Sequence, residues 1–196
     1  MKNKIGIGII GTPKEYNNFK DYTYFVEPIE KCLTWTKNKL LYQLLNDDCD
    51  HIFLMDDTVE ILDVCIFANY IDAAKKSGIW YLMYRGDYKV KNSIDYDGVG
   101  ISFSDTINKQ FCYYYKGIIK KVGFFDERMR LAEDIRLWFR LAFEGAFAVV
   151  SKPLVRRRWM GPGKQLLDAS KDGYYRESAA LNLEVFMETY ARAKDK

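Results

Sequence analysis

His51-Ile52-Phe53-Leu54-Met55-Asp56-Asp57-Thr58-Val59-Glu60-Ile61 is a short apolar run that ends abruptly in two adjacent carboxylates. A run of this length reads as a buried strand, one that delivers Asp56 and Asp57 to its C-terminal edge. In an open α/β sheet, ligands sit in the crevice outside the carboxyl ends of the strands. Acids at that address are candidates for use.

Upstream, Lys4 to Ile10 predicts another buried strand, punctuated by glycines at 6, 8 and 11. Taken literally, Gly6-Ile7-Gly8-Ile9-Ile10-Gly11 matches GxGxxG. The dinucleotide fingerprint needs its glycines after a strand and a helix opening on the last of them. Here Thr12-Pro13 follows, and the glycines lie inside the apolar run, so a dehydrogenase is set aside. Asp21 to Val26 alternates and is aromatic-rich, a second strand that closes at Glu27-Pro28. Glu27 thus shares the strand-end address of Asp56. From Pro28 to about Asn46 the spacing predicts a helix: proline suits a first turn, and Ile29, Cys32, Leu33, Leu40, Leu41, Leu44 and Leu45 recur mostly at helical intervals.

Downstream, Ile61 to Lys76 predicts a helix closed by Ser77-Gly78, and Ile79 to Tyr84 a strand. Asp87 to Gly98 reads as polar loop, Val99 to Ser104 and Phe111 to Lys116 as antiparallel strands, and Gly117 to Val122 as a helical turn. Alternation of strands and helices over the first 85 residues argues for a mainly parallel sheet with right-handed crossovers. Val122-Gly123-Phe124-Phe125-Asp126-Glu127 is a loop, and Ala132 to Leu141 a helix closing at Glu144-Gly145. On that helix Asp134, Leu137, Trp138 and Leu141 share one face, which aims Asp134 inward, while Glu133 points elsewhere. Ala146 to Val150 predicts a strand, Lys152 to Gly163 a basic loop, and Lys164 to Arg192 mostly helix.

With 196 residues, 48% hydrophobic and 16% aromatic, the chain suits one domain with a sizeable core, spanning residues 1–196. A net charge of +3 is too small for an obligate nucleic-acid binder. Cys32, Cys49, Cys65 and Cys112 lie far apart and His51 is the single histidine, so neither a zinc cage nor a disulfide framework is expected. That usage points to a reduced, cytoplasmic protein. No apolar stretch reaches the roughly 18 residues of a membrane span, and the N-terminal run is too short for a signal peptide. A soluble protein is expected.

Three features occur in one order: the strand ending in acids, then Val122-Gly123-Phe124-Phe125-Asp126-Glu127, then Glu133-Asp134-Ile135-Arg136-Leu137 with Arg140 and Gly145. Together they resemble family 2 glycosyltransferases of the GT-A fold, whose chains commonly read "DDD", "vGgfDE" and "EDxdlxxRxxxxG". The resemblance runs from about Ile5 to Val150. Thr12 to Asn17 is similar to the family's "TyN" loop, and Lys37-Asn38 to its "aRN" segment. It implies a Rossmann-like, mainly parallel sheet flanked by helices, with a small antiparallel part and a C-terminal helical segment. A donor-binding half would occupy about 1–87, an acceptor and catalytic half about 98–164, and a C-terminal helix about 165–192.

The resemblance also implies an inverting transfer of a sugar from a nucleotide-diphosphate donor to an acceptor hydroxyl, usually with a divalent metal such as Mn²⁺ or Mg²⁺. Hard cations take carboxylate oxygens and neutralise a diphosphate leaving group. Asp57 is the first metal ligand expected, with Asp56 toward the metal or the donor ribose and Glu60 in reserve. The chain departs from the pattern at Thr58, where the family carries a further acid. Against this stands the reading that the acids cap a helix beginning at Thr58 to Ile61. Glu27 matches an acid that meets the nucleoside, or is an ordinary first-turn acid beside Pro28. Thr12 and Asn38 are expected on the donor side.

Asp134 is the expected catalytic base, taking the acceptor proton on the face opposite the diphosphate, with Glu133 orienting or binding the acceptor. The competing role is a helix cap tied to Arg136 or Arg130. In the loop Arg156-Arg157-Arg158-Trp159-Met160-Gly161-Pro162-Gly163-Lys164, Arg158 and Lys164 are expected at the diphosphate, unless the loop is merely solvated. Arg158-Trp159 is similar to the "QxxRW" element of processive synthases, with Val155 at the glutamine position. The acceptor is a glycan, lipid-linked glycan, protein or modified DNA, and Tyr113-Tyr114-Tyr115 offers rings to stack on a sugar or base. Thr58 and the lack of a late histidine suggest a second class: a nucleotide-sugar- or nucleic-acid-binding module that has lost catalysis.

Overall fold

A computed structural model of the chain describes residues 4–14, 16–84, 93–96, 99–102, 111–129, 133–145, 148–150 and 154–157, with helical residues at 179–181, 183, 184, 186–188 and 191. In chain order the elements are β1 (Ile5–Ile10), a 3-10 turn at Asn17–Phe19, β2 (Thr23–Glu27), α1 (Leu33–Asn46), β3 (His51–Asp56), β4 (Val59–Ile61), α2 (Ile66–Ser77) and β5 (Tyr81–Tyr84). Then follow β6 (Ser93–Tyr96), β7 (Val99–Ser102), β8 (Phe111–Tyr115), α3 (Lys116–Val122), α4 (Glu133–Glu144), β9 (Ala148–Val150) and β10 (Val155–Arg157).

The main sheet has the order β2-β1-β3-β8-β5-β9-β7-β6. β2, β1 and β3 run parallel, with Ile10 beside Asp56 and Glu27 at the strand ends. β8 then enters antiparallel to both β3 and β5, β9 runs parallel to β5, and β7 and β6 finish antiparallel. The architecture is α/β as expected, but the sheet is mixed rather than mainly parallel. The reason is β8, whose apolar Phe111-Cys112-Tyr113-Tyr114 run is buried on both faces and so takes a central place.

Side chains alternate between two cores. Ile7, Ile9, Phe53, Met55, Phe111 and Tyr113 pack beneath α2 through Phe67, Tyr70 and Ala74. Ile10, Ile52, Leu54, Cys112, Tyr114 and Tyr81 pack on the other face, where Leu40, Leu41 and Leu44 of α1 meet Leu137 and Leu141 of α4. Period-two alternation of strand residues produces these two layers. Its consequence for the site is that α1 and α4, far apart in sequence, lie over one face of the sheet.

The glycines of β1 serve that packing. A Cβ on Gly6 would lie 2.6 Å from both Cys49 Sγ and Leu44 Cδ2, and one on Gly8 2.6 Å from Leu54 Cδ2. Several boundaries also move. α1 opens at Leu33 rather than Pro28, with Cys32 Sγ accepting from Trp35 N at 3.5 Å. The residues read as the start of a helix at Ile61 belong instead to β4, and α2 opens at Ile66. β6 falls in the expected polar loop and β10 in the expected basic loop, where Val155 and Leu154 are buried. Among the described residues no helix is long and apolar enough to cross a membrane.

Candidate functional site

Three parallel strands end side by side, and backbone hydrogen bonds lace their ends together. Gly11 N donates to Glu27 O at 3.0 Å and Asp57 N to Ile10 O at 2.9 Å. Asp57 turns back over this seam, its Oδ2 accepting from Thr12 N at 3.2 Å. After the Asp57-Thr58 turn the chain enters β4, not a helix. The helix-cap reading of the two acids therefore loses its helix.

Beside the turn opens a cleft of about 370 Å³, bordered by Lys14, Tyr16, Asn17, Met55, Asp57 and Glu60. It is polar at its rim and carries two acids. The Tyr16 hydroxyl is buried with no hydrogen-bond partner among the described residues; burial, and then the negative charge of Asp57, push its pKa up. Thr12 is exposed at the same edge. β10 pairs antiparallel with β4, setting Arg156 opposite Glu60 and Arg157 opposite Val59. The first part of the basic run is thereby tied within a few residues of Asp57. Arg158 and Lys164 lie outside the described residues.

A second, smaller hollow of about 10 Å³ lies on the α1/α4 side of the sheet, bordered by Ile10, Lys37, Met55, Tyr114, Asp134 and Trp138. Its volume matches one water molecule. Met55 borders both spaces, so the cleft and the hollow flank the same strand end. Asp134 is 3% exposed and its Oδ1 accepts from Ile135 N at 3.0 Å in the first turn of α4. The inward aim expected of Asp134 holds.

Glu133 does not point elsewhere. It too is 3% exposed, because Lys37 Nζ reaches across from α1 to its Oε1 at 2.6 Å. Burial alone would lower the Lys37 pKa; the charges of Glu133, then Asp134 and least of all Asp56, raise it above the usual lysine value instead. Arg136, one of the two expected alternative partners of Asp134, has its Nε on Asp126 Oδ2 at 2.7 Å and its Nη1 donating to Leu181 O; the other, Arg130, lies outside the described residues.

The Val122–Glu127 loop is clamped between the two helices. Asn38 Nδ2 donates to Phe125 O at 2.9 Å while Phe125 N donates to Asn38 Oδ1 at 2.9 Å. The side-chain amide thus pairs with the loop as a strand would. From α4, Arg140 donates to Val122 O at 2.7 Å and to Phe124 O at 2.5 Å. Gly123 stands between these anchors at φ +82°, a conformation natural to glycine. Glu27 is likewise engaged, by Lys39 Nζ at 2.5 Å and Gln43 Nε2 at 2.7 Å, so a ligand meeting it would share it with α1.

The sequence reading named Lys37 and Arg140 only as motif positions, with no role of their own, and did not single out Tyr16. For Lys37 a signal existed: it stands four residues before Leu41 and seven before Leu44, on the apolar stripe of α1, where an unpaired lysine would be costly.

Comparison of the sequence with protein-family models and with curated proteins finds no match. Among solved structures the chain is similar to A197 from STIV, at 14% identity over 76% of this chain and 82% of that one, with a TM-score of 0.52. It is also similar to a glycosyltransferase involved in the glycosylation of the major capsid of PBCV-1, at 12% identity over 86% of this chain and 98% of that one, with a TM-score of 0.44. The first likeness is one of fold.

Proposed function

We propose that the chain transfers a sugar, with inversion, from a nucleotide-diphosphate donor to an acceptor hydroxyl. The observation that carries this reading is the pairing of two carboxylate sites across one strand end: Asp57 on a cleft of about 370 Å³ and buried Asp134 beside the hollow, with Met55 between them. A displacement needs charge neutralised at the leaving group and a proton taken from the nucleophile. Two separated acid groups divide that work.

Among the described residues no three His, Cys, Asp or Glu side chains converge as a metal cage. The strand end offers Asp57 and Asp56, with Glu60 on the cleft wall. Mg²⁺ is commonly held by one or two carboxylates together with substrate phosphates and waters, and such a donor set fits that mode. A bound Mg²⁺ or Mn²⁺ would neutralise the charge developing on the diphosphate.

The protein's own residues do the rest. Thr12 and Glu27, at the ends of β1 and β2, would meet the nucleoside, and Arg158 and Lys164, outside the described residues, are assigned to the diphosphate. Asn38 acts on the donor side through the loop it clasps. Asp134 accepts the acceptor proton, and Glu133 is held beside it. The acceptor contributes a hydroxyl, which a glycan, lipid-linked glycan, protein or modified DNA each presents.

A thermal-shift panel of nucleotide sugars with Mn²⁺ tests the reading, followed by donor hydrolysis or transfer in wild type, Asp57→Asn and Asp134→Asn. Full activity in both variants would sink it. Thr58 in place of a further acid favours a second reading, a nucleotide-sugar- or nucleic-acid-binding module without turnover. Calorimetry showing donor binding with no product would select that one.

A further inference from the structure

The cleft that carries Asp57 also carries cations to which the proposed reaction gives no role. Lys14, exposed on the loop after β1, borders it, and its ammonium stands 5.2 Å from the centre of the Tyr16 ring. That ring is stacked on Phe19, with 5.8 Å between centres and 14° between planes. Phe19 in turn is buried, edge-on to Phe67 of α2. An aromatic ladder thus rises from the core to a lysine on the cleft wall. A surface lysine ordinarily samples many rotamers, and a cation–ring contact takes up part of that entropy before any ligand arrives.

Arg156 is the second cation. β10 sets it opposite Glu60, itself on the cleft wall. Its Nη1 lies 3.9 Å from Glu60 Oε2, and 66% of its side chain is exposed. An exposed pair at that separation holds its partners loosely, so the guanidinium can exchange Glu60 for a stronger acceptor. A phosphate, which matches the arginine fork, is one.

The acids decide the class of ligand. Asp57 and Glu60 border the same space as Lys14. Two carboxylates would repel a bare anion, and the cations would repel a bare metal ion. A phosphate chain carrying its divalent cation satisfies both signs.

We infer that Lys14 and Arg156 are phosphate-binding residues of the cleft: the Tyr16 ring holds the Lys14 ammonium, and Glu60 the Arg156 guanidinium, until a metal-bound diphosphate replaces those contacts. The inference rests on the reading of the cleft as the donor site and extends it to two residues outside the motifs.

Titration calorimetry on the full chain with inorganic pyrophosphate and Mg²⁺, at one fixed ionic strength, tests it. Lys14→Met and Arg156→Met should each weaken binding about tenfold, the usual worth of a hydrogen bond to a charged group. Lys14→Arg should restore it, since arginine keeps both the charge and the ring contact. Tyr16→Phe should bind as wild type and Tyr16→Leu about two- to threefold more weakly, because the ring and not the hydroxyl holds the lysine. Lys75→Met, on the exposed last turn of α2, should change nothing. Should Arg156→Met fail to fold, Arg156→Gln must show the same loss. Wild-type affinity in folded Lys14→Met and Arg156→Met overturns the inference, as does an equal loss in Lys75→Met or a wild type that binds no magnesium pyrophosphate. Sugar transfer with the donor KM unmoved in Lys14→Met keeps the transferase reading and overturns the inference. The expected losses in a protein that turns over no nucleotide sugar support the phosphate site and overturn the transferase reading instead.

Discussion

Gly11 and Asp57 touch through the space a side chain would fill: a Cβ on Gly11 would lie 2.2 Å from Asp57 Cγ. The carboxylate keeps its place over the strand seam only because position 11 has no side chain. Gly11→Ala should therefore push Asp57 off Thr12 N and toward solvent. Overpacking of this kind costs about 1–3 kcal/mol, a few degrees of melting temperature in a chain of this size. Any Mn²⁺-dependent stabilisation by a nucleotide sugar should vanish with it. A variant that melts and binds like wild type would show that Asp57 does not need this position.

Asp57→Asn and Asp134→Asn should fail differently. The first removes charge from the cleft, so saturating nucleotide sugar with metal should no longer raise the melting temperature. The second leaves the cleft intact, so that shift should survive while kcat falls by about 10²–10⁴, the usual contribution of a positioned base. If Asp134→Asn abolished ligand stabilisation and Asp57→Asn did not, the two roles would have to be exchanged.

Asn38 separates a clasp from a contact. Truncation in Asn38→Ala leaves the N–H and C=O of Phe125 without partners in a buried setting, and each such group costs about 1–3 kcal/mol. Urea unfolding should register a loss of about 2–4 kcal/mol. Affinity for a nucleotide sugar should change little at temperatures where the variant is folded, because the amide acts through the loop. A large loss of affinity with normal stability would mean that Asn38 meets the ligand itself.

Much of this site was legible in the sequence because strand ends are announced by composition. An apolar run that stops at Asp56-Asp57 fixes both the element and the address of the acids, and a carboxylate three residues before Leu137 fixes the inward aim of Asp134. What was not legible depends on partners distant in sequence. Glu133 follows helical geometry away from the Leu137 stripe, yet Lys37, 96 residues earlier, draws it inside. β4 is a strand only because β10 pairs with it; alone, Val59 to Ile61 reads equally well as the approach to α2. The mixed sheet has the same origin, since no local signal in Phe111 to Tyr115 says which strands it will separate.

His51 gives the fold a pH dependence. It is 1% exposed, and its Nδ1 lies 2.9 Å from the Tyr113 hydroxyl. Burial first, and then the positive charges of Lys75 and Lys116, hold its pKa below the usual histidine value against the opposing pull of Asp50. The folded chain thus resists the proton that the unfolded chain accepts near pH 6.5. Above that pH His51 is neutral in both states and its contribution is complete. Below it the unfolded state gains protons first, and stability falls by up to about 1.4 kcal/mol per pH unit until the folded-state pKa is reached. Asp47, Asp50 and Asp126, whose pKa values are lowered by their hydrogen bonds to Lys4, Lys116 and Arg128, lose their contributions only at more acidic pH. Urea midpoints should therefore decline as the pH falls below about 6.5 in wild type and stay level through that first decline in His51→Gln. An identical decline in both proteins would place the titrating group elsewhere.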